Sequence, residues 1–164
     1  MTLPIKLQLA DLSAEQQLLT MIHVSFKPLY DRYHDDATSP YLKTITSWRT
    51  KIRRPGSATY FINQNAANVG MIRIITNSRD QTARISPLLI LPAYQRHGRA
   101  LATLVQLPKI FPNIQEWCLE TIESESGLIS LYQRAGFERV AGKWMTIQPG
   151  MRLVYLHKYS VCNL

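Results

Sequence analysis

Residues 88–100, LLILPAYQRHGRA, join an apolar strand to a helix through a polar loop. Leu88 to Leu91 are apolar on both faces, as in a central buried strand. Gly98 to Leu107 carry leucines and valine at helical spacing, and we expect Pro108 to end this helix. Such a unit directs unpaired backbone N–H groups at one point, where the helix dipole adds positive potential. The stretch therefore predicts a binding site for a pyrophosphate.

The side chains of this loop are also typical of phosphate binding. Gly98 allows close backbone approach, and Ala100 keeps the first helical turn narrow. Arg96, His97 and Arg99 supply positive charge. By itself, a loop with one glycine is as typical of an ordinary connection between a strand and a helix as of a phosphate site.

The pattern on both sides of the loop predicts one mixed α/β domain over residues 1–164. The predicted strands are Ile5 to Leu9, Ala58 to Asn63, Val69 to Thr76, Thr82 to Leu91, Glu116 to Ile122, Phe137 to Ile147 and Arg152 to Tyr159. The first predicted helix carries an apolar face from Leu18 to Tyr33. Three further helices are predicted at Pro40 to Arg53, Gly98 to Leu107 and Ser126 to Ala135, and Gly136 caps the last one. Pro87 marks a bulge or an edge in its strand.

Composition narrows the class of protein. The chain has 164 residues, of which 46% are hydrophobic and 18% charged, values typical of globular proteins. No apolar run approaches the roughly 20 residues of a membrane span, and the first residues lack the pattern of a signal peptide, so we expect a cytoplasmic protein without a membrane partner. Cys118 and Cys162 fit no metal-ligand spacing, and we expect no metal and two free thiols.

The formal net charge of +8 suits a polyanionic partner, either nucleic acid or a phosphate-rich small molecule. The densest basic run extends from Lys43 to Arg54 and contains no acid. Since such runs are usually solvated helix faces, we favour that interpretation for this run. We therefore do not expect nucleic acid as the partner.

Two motifs resemble the signatures of GNAT N-acetyltransferases. Gln95-x-x-Gly98-x-Ala100 is similar to the coenzyme A signature of that family. Residues 131–137, LYQRAGF, resemble its second signature, and the two stand in the expected order with a strand between them. The resemblance covers roughly residues 85–140. It implies a strongly twisted mixed sheet of six to seven strands with about four helices.

The same resemblance implies acetyl-coenzyme A as the cosubstrate. The strands near residues 88–91 and 116–122 would splay apart, and the pantetheine arm would lie in the gap. The residues assigned to cofactor binding are Leu89, Ile90, Leu91, Gln95, Arg96, His97, Gly98, Arg99, Ala100 and Glu125. Glu125 stands where many family members carry an asparagine that contacts pantetheine, and this departure affects the fine contacts of the cofactor.

In similar enzymes the acceptor amine attacks the thioester directly, and the resemblance assigns two catalytic residues. Tyr132 matches the position that donates a proton or a hydrogen bond to the leaving thiolate. Glu120 matches the general base of N-terminal acetyltransferases of ribosomal proteins, and burial on a strand would raise its pKa. Ordered water is the equal alternative, and Glu123 and Glu125 are further candidates. A backbone N–H near Leu89 or Ile90 would bind the carbonyl oxygen.

The acceptor is a primary amine of a small molecule or a peptide N-terminus. Acids beside aromatic rings suit a cationic amine, although surface helix ends often look the same. The residues of this kind are Tyr30, Asp31, Tyr33, Asp35, Asp36, Tyr41 and Trp144. The sequence leaves open a monomer or a homodimer. It also leaves open a silent coenzyme A-binding sensor and a basic nucleic-acid-binding module.

Overall fold

The computed structural model describes residues 4–160, and its centre is a seven-stranded sheet. The strands are β1 (Lys6–Leu9), β2 (Ser57–Gln64), β3 (Ala67–Asn77), β4 (Thr82–Ile90), β5 (Glu116–Ile122), β6 (Glu138–Gln148) and β7 (Met151–Tyr159). The helices are α1 (Glu15–Tyr33), α2 (Ile45–Ile52), α3 (Arg99–Ile110) and α4 (Ser126–Arg134). The strand order is β1-β2-β3-β4-β5-β7-β6. The predicted mixed α/β fold is confirmed.

The sheet separates two hydrophobic clusters. Helices α1 and α2 cover one face, where Ile22 and Trp48 are fully buried with Met71 of β3. Helices α3 and α4 cover the other face, where Leu104 is buried with Trp117 of β5. Each such apolar side chain stabilises the fold by roughly 1.5–3 kcal/mol. A ligand lying between two strands of this sheet therefore has a different set of helices on each side.

Strands β4 and β5 separate after a short contact. They are the one parallel pair among the described strands, and only Thr82, Ala83 and Arg84 of β4 pair with residues of β5. Beyond Arg84 the two strands share no further pairing, while β4 stays paired with β3 up to Ile90. The predicted splay is present, and it leaves one edge of β4 free in the middle of the sheet.

A bulge in β4 lies beside the start of this gap. Ile72 of β3 pairs with Leu88, whereas Ile74 pairs with Ile85, so β4 holds one more residue than β3 over this interval. Pro87 falls within the bulge, where it does not have to donate to a ladder. This position confirms the interpretation of Pro87 as a bulge residue.

The prediction that Pro108 ends α3 was wrong. The helix runs on to Ile110, and the N–H of Phe111 donates to the carbonyl of Leu107 at 2.9 Å. Proline removes the one hydrogen bond that its own N–H would make, but this loss falls in the last turn. Leu104 and Leu107 stay 1% exposed, and their packing outweighs the loss of one bond.

The predicted helix from Pro40 to Arg53 is in fact two elements. A short 3-10 turn covers Pro40–Leu42, and α2 begins only at Ile45. Thr44 caps α2, since its hydroxyl accepts the N–H of Ser47 at 3.2 Å. The residue between the turn and this cap, Lys43, is therefore extended.

The end of α4 follows the sequence pattern. Gly136 has a φ of +95°, and its N–H donates to the carbonyl of Gln133 at 3.0 Å. The N–H of Phe137 donates to the carbonyl of Tyr132 at 2.9 Å, which completes a Schellman motif. This cap directs the chain from α4 into β6 and fixes the last turn that carries Tyr132.

Two sequence expectations concern the environment of the chain. Cys118 is a free thiol, and burial raises its pKa; the corresponding prediction for Cys162 lies outside the described residues. Between residues 4 and 160, the helices are too short or too polar to cross a bilayer.

Candidate active site

The loop before α3 presents a row of free backbone N–H groups. From Arg96 to Leu101, none of these amides donates to a carbonyl or side chain within residues 4–160. Arg96 and Gly98 have φ angles of +67° and +74°, a turn of the chain that faces successive N–H groups the same way. The first turn of α3 continues the row, and its dipole adds partial positive charge. This concave row of donors fits a diphosphate.

The space in front of Gly98 is open. A Cβ atom built on Gly98 has no protein atom within 4 Å, so a side chain there would project into the space that a phosphate needs. The positive φ also strains any residue other than glycine. The free backbone amides and the open space at Gly98 therefore fit a cofactor diphosphate, before any side chain is considered.

The side chains of the loop divide into two groups. Gln95 donates to the carbonyl of Ile90 at 2.9 Å. Arg99 donates to Gln64 at 2.5 Å and to the carbonyl of Tyr94 at 2.7 Å, with its guanidinium 5.5 Å from the Tyr94 ring. These contacts hold the loop in shape. The guanidinium of Arg99 is therefore engaged by groups of the protein.

Arg96 and His97 form the second group. Both are exposed beside the free amides, and Ala100 follows them in the first turn of α3. Their exposed side chains are free to approach an anion beside these amides.

The free edge of β4 supplies further donors. The N–H of Leu91 donates to the carbonyl of Val69 in β3 at 2.8 Å. Because successive backbone groups of a strand alternate in direction, the N–H of Ile90 points into the gap and that of Leu89 points toward β3. Of the two residues predicted to bind the carbonyl oxygen, Ile90 is the one whose N–H the geometry directs into the gap.

Tyr132 lies in the cluster between the sheet and helices α3 and α4. It is 8% exposed, and its ring meets Phe137 edge-on at 6.0 Å between centroids. Its hydroxyl makes no hydrogen bond to any of residues 4–160. Burial raises the pKa of Tyr132 to about 12. The side chain is therefore a neutral donor with a free proton at physiological pH.

Glu120 lies on β5, two residues beyond the last pairing with β4. It faces the side of α1 and α2, the same face as Cys118. Its carboxylate accepts a hydrogen bond from Arg84 of β4 at 2.7 Å, and the side chain is 27% exposed. Local sequence patterns do not predict this partner, since the pairing of β4 with β5 joins residues that are 36 positions apart.

The two further carboxylates are held by other residues. Glu123 accepts from Arg152 at 2.7 Å and also contacts Arg139, and these partners lower its pKa, Arg152 most. Glu125 contacts Arg32 and lies 3.3 Å from the hydroxyl of Tyr33. Glu125 therefore ties the end of α1 to the start of α4, a contact that accounts for a glutamate at this position.

The acids predicted to attract a cationic amine have protein partners. Asp31 accepts from Lys27 at 2.7 Å, and Asp36 accepts from the hydroxyl of Tyr30 at 2.7 Å. Asp35 is 2% exposed and accepts the N–H of Thr38 at 2.9 Å. These carboxylates shape the connection between α1 and α2.

The aromatic residues of the predicted acceptor site are spread over this connection and the last hairpin. The rings of Tyr30 and Tyr41 lie 5.1 Å apart, and the hydroxyl of Tyr33 is 2.7 Å from Ser124. Trp144 is 53% exposed on β6, with the guanidinium of Arg152 at 5.3 Å from its ring. The structure thus brings Tyr30 and Tyr41 together and leaves Trp144 on a separate strand.

The chain matches one protein-family model, described as an acetyltransferase (GNAT) domain, over residues 12–157. No curated protein sequence matches the chain significantly.

Solved structures share the whole architecture at low sequence identity. Spermidine N-acetyltransferase from Vibrio cholerae, in complex with CoA and spermine, has 11% identity and a TM-score of 0.74, with 94% of this chain and 95% of that chain covered. The PaiA N-acetyltransferase from Thermoplasma acidophilum, in complex with coenzyme A, has 16% identity and a TM-score of 0.73 over 96% and 100%. The ribosomal-protein-S18-alanine N-acetyltransferase from Escherichia coli has 14% identity and a TM-score of 0.71 over 98% and 99%.

Proposed function

The chain belongs to the GNAT acetyltransferase family, and we propose that it transfers the acetyl group of acetyl-coenzyme A to a primary amine of a small molecule or a peptide N-terminus. Acetyl-coenzyme A supplies an activated acetyl thioester. As the amine nitrogen forms a bond to the acetyl carbon, the bond from that carbon to sulfur breaks. The amine loses one proton and the departing thiolate gains one.

The observation that carries this proposal is the row of free amides from Arg96 to Leu101. Backbone donors that do not have to reorganise bind an anion at little cost. Gly98 leaves the approach to them open. We infer that the loop holds the diphosphate of coenzyme A and that the free edge of β4, with the N–H of Ile90, positions the reacting carbonyl.

Tyr132 serves as the proton donor in this proposal. Its raised pKa of about 12 keeps the phenol protonated at neutral pH, and its hydroxyl has no competing partner within the described residues. A phenol of this pKa is a weaker acid than a thiol, so it assists the departing thiolate by donating a hydrogen bond as the bond to sulfur breaks.

Glu120 is the proposed base, acting directly or through an ordered water. It stands at the start of the gap on the face of α1 and α2, opposite the face that carries Tyr132. An acid and a base on opposite faces of the gap match the two proton transfers of the reaction. The ion pair with Arg84 orients the carboxylate.

The remaining parts of the proposal concern the protein as a whole. We infer one domain over residues 1–164, since a single sheet runs through the described residues, and a cytoplasmic location. Two of the structural neighbours named above are, by name, N-acetyltransferases of spermidine and of a ribosomal-protein alanine, and both acceptors offer a primary amine. Monomer and homodimer are both compatible with the site.

The test is a direct assay of both steps. Calorimetry with coenzyme A measures binding, and release of free thiol from acetyl-coenzyme A is then followed over a panel of primary amines. The proposal expects binding together with amine-dependent thiol release. Binding without release for any amine would assign the chain a sensor role, and absence of binding would remove the cofactor site.

A further inference from the structure

Three basic residues lie near one another on the α1 and α2 side of the sheet: Arg73 contacts the backbone carbonyl of Lys51, and the charges of Lys51 and Arg73 both act on Lys43. Lys43 precedes α2, Lys51 lies on α2, and Arg73 lies on β3. Arg73 is 4% exposed, and its guanidinium is 6.0 Å from the ring of Trp48. The pKa of Lys43 is lowered to about 7, mostly by burial and also by the neighbouring charges of Lys51 and Arg73. We call these residues the cation cluster.

The contacts of Arg73 leave one donor free. Its Nε donates to the carbonyl of Ser86 at 2.6 Å. Its Nη1 is within 3.4 Å of the Lys51 carbonyl and 3.3 Å of the Ser57 hydroxyl. Its Nη2 donates to none of residues 4–160. The guanidinium is thus buried against neutral partners with one side still able to bind an anion.

No side-chain carboxylate within residues 4–160 compensates these charges. All eleven acidic residues lie within residues 4–160, and ten of them contact residues outside the cluster. These ten are Asp11, Glu15, Asp31, Asp35, Asp36, Asp80, Glu116, Glu120, Glu123 and Glu125. The remaining one, Glu138, is exposed on β6, the far edge of the sheet.

Other basic residues of the same run are paired with a carboxylate. Arg49 and Arg53 belong to the same basic run but pair with Glu15 of α1, at 2.5 and 3.7 Å. The expectation of a solvated helix face holds for these two residues and fails for Lys43 and Lys51, which are partly buried. Burying like charges together without a counterion costs free energy, and an anion bound there would offset that cost.

The cation cluster borders the gap between β4 and β5. Its member Arg73 binds the carbonyl of Ser86, in the bulge at the start of the gap. Two residues earlier on the same strand, Arg84 pairs with Glu120. The cluster therefore lies beside the proposed base, on the face opposite α3 and α4, and is separate from the row of free amides that faces the cofactor diphosphate.

We propose that Lys43, Lys51 and Arg73 form an anion subsite for the acceptor, so that the preferred substrates are primary amines that also carry a phosphate or carboxylate group. Ammonium and guanidinium groups bind such anions through charge-assisted hydrogen bonds. This inference rests on the proposed acetyl transfer for its role in catalysis. The existence of the subsite is independent of acetyl transfer, because it is argued from charges and contacts alone.

Binding of inorganic phosphate tests the subsite without turnover. Phosphate is titrated calorimetrically into the full chain saturated with coenzyme A, which occupies the loop before α3. We expect saturable binding that weakens about 10-fold in Lys51→Gln and is lost in the Lys43→Gln/Lys51→Gln double variant. Lys109→Gln, an exposed position on α3, is the matched control and should bind as the wild type does. Equal binding by the double variant and the wild type overturns the subsite.

If coenzyme A does not bind, the titration is made on Gly98→Val, in which the strained loop should bind anions about 30-fold more weakly. Loss of phosphate binding on removal of the two lysines would then still support the subsite, while the proposed function fails. The arginine is left in place in these variants, since it is the most buried of the three. Arg73→Lys, which keeps the charge, should retain part of the phosphate affinity.

Matched amines test the role in catalysis. Ethanolamine, O-phosphoethanolamine and β-alanine share one primary amine on a two-carbon chain and differ in the group at the other end. We expect KM for at least one anionic amine to be about 10-fold or more below that of ethanolamine, and the advantage to vanish in the double variant. The order of the two anionic amines distinguishes phosphate from carboxylate. An equal KM for all three in wild type contradicts the proposal.

Discussion

The loop at residues 95–101 and the cation cluster are the two proposed anion sites, and they use different donor groups. The loop uses backbone N–H groups that are adjacent in sequence, with an open approach at Gly98. The cluster uses side chains of Lys43, Lys51 and Arg73, which come from three separate elements. Backbone donors fix the geometry of one ligand shared by a whole family. The side-chain charges of the cluster are, in our proposal, what selects the acceptor.

Tyr132→Phe separates the chemical step from both binding regions. Removing the one phenolic proton should lower kcat about 100-fold, since general acids contribute roughly that factor or more. Coenzyme A affinity and acceptor KM should stay within about 2-fold, because the ring and its packing on Phe137 remain. Steady-state kinetics together with calorimetry measures both effects. An unchanged kcat would remove Tyr132 from the proton transfer.

Gly98→Val should damage the loop and spare the cluster. A β-branched residue at a φ of +74° is strained, and its Cβ enters the open space before the amides. We expect coenzyme A affinity to fall about 30-fold by calorimetry, with phosphate binding at the cluster preserved. Gly142→Val is the matched control, because Gly142 has a φ of +71° and open space but lies on β6. A similar loss of affinity in the control would show that strain, and not position, is responsible.

Glu120→Gln tests the base that stands between the two regions. We expect kcat to fall about 10-fold and the low-pH side of the pH–rate profile to change, because the amide cannot accept a proton. Glu116→Gln is the control on the same face of β5, four residues before Glu120 and still paired with β4. A pH–rate profile identical to that of the wild type would assign proton removal to water.

Lys43→Gln should give the smallest of these effects. It is a change in thermal stability, measured without added anions. Burial, Lys51 and Arg73 lower the pKa of Lys43 from 10.5 to about 7, so the unfolded chain binds more protons than the folded chain between these pH values. The free energy of unfolding of the wild type therefore rises as pH increases from about 7. Below pH 7 Lys43 is charged in the folded chain, and its full destabilising effect is present. Glutamine should raise Tm by roughly 2–4 °C at pH 7 and progressively less toward pH 10, after allowance for partial exposure.

Thermal unfolding with added phosphate checks the same point. The anion should stabilise the wild type more than Lys43→Gln, which narrows the difference in Tm. A variant that is less stable than the wild type at pH 7 without phosphate would contradict the unfavourable charge environment of Lys43.

The parts of the fold that sequence predicts are those set by neighbouring residues. The loop at Gly98, the cap at Gly136 and the bulge at Pro87 each depend on a local backbone preference that glycine or proline reports directly. The extent of α3 beyond Pro108 depends on burial of Leu107, which local preference does not report.

The candidate site follows the same division. Tyr132 and the loop residues lie within two motifs, so their place could be read from the sequence. The partners of Glu120 and Glu125 could not, because Arg84 and Arg32 reach them only through strand pairing and helix docking. The cation cluster is hidden for the same reason: its run looks uniform in sequence, yet Glu15 neutralises only the side of α2 that faces α1.

The most direct test is to follow the backbone amides of Arg96 to Leu101 by NMR while coenzyme A is added to ¹⁵N-labelled protein. If these N–H groups hold the diphosphate, their resonances shift downfield together and saturate with the calorimetric Kd, and in Gly98→Val they shift only at correspondingly higher coenzyme A concentrations. Tight binding of coenzyme A that leaves these six amides unperturbed would contradict the cofactor site.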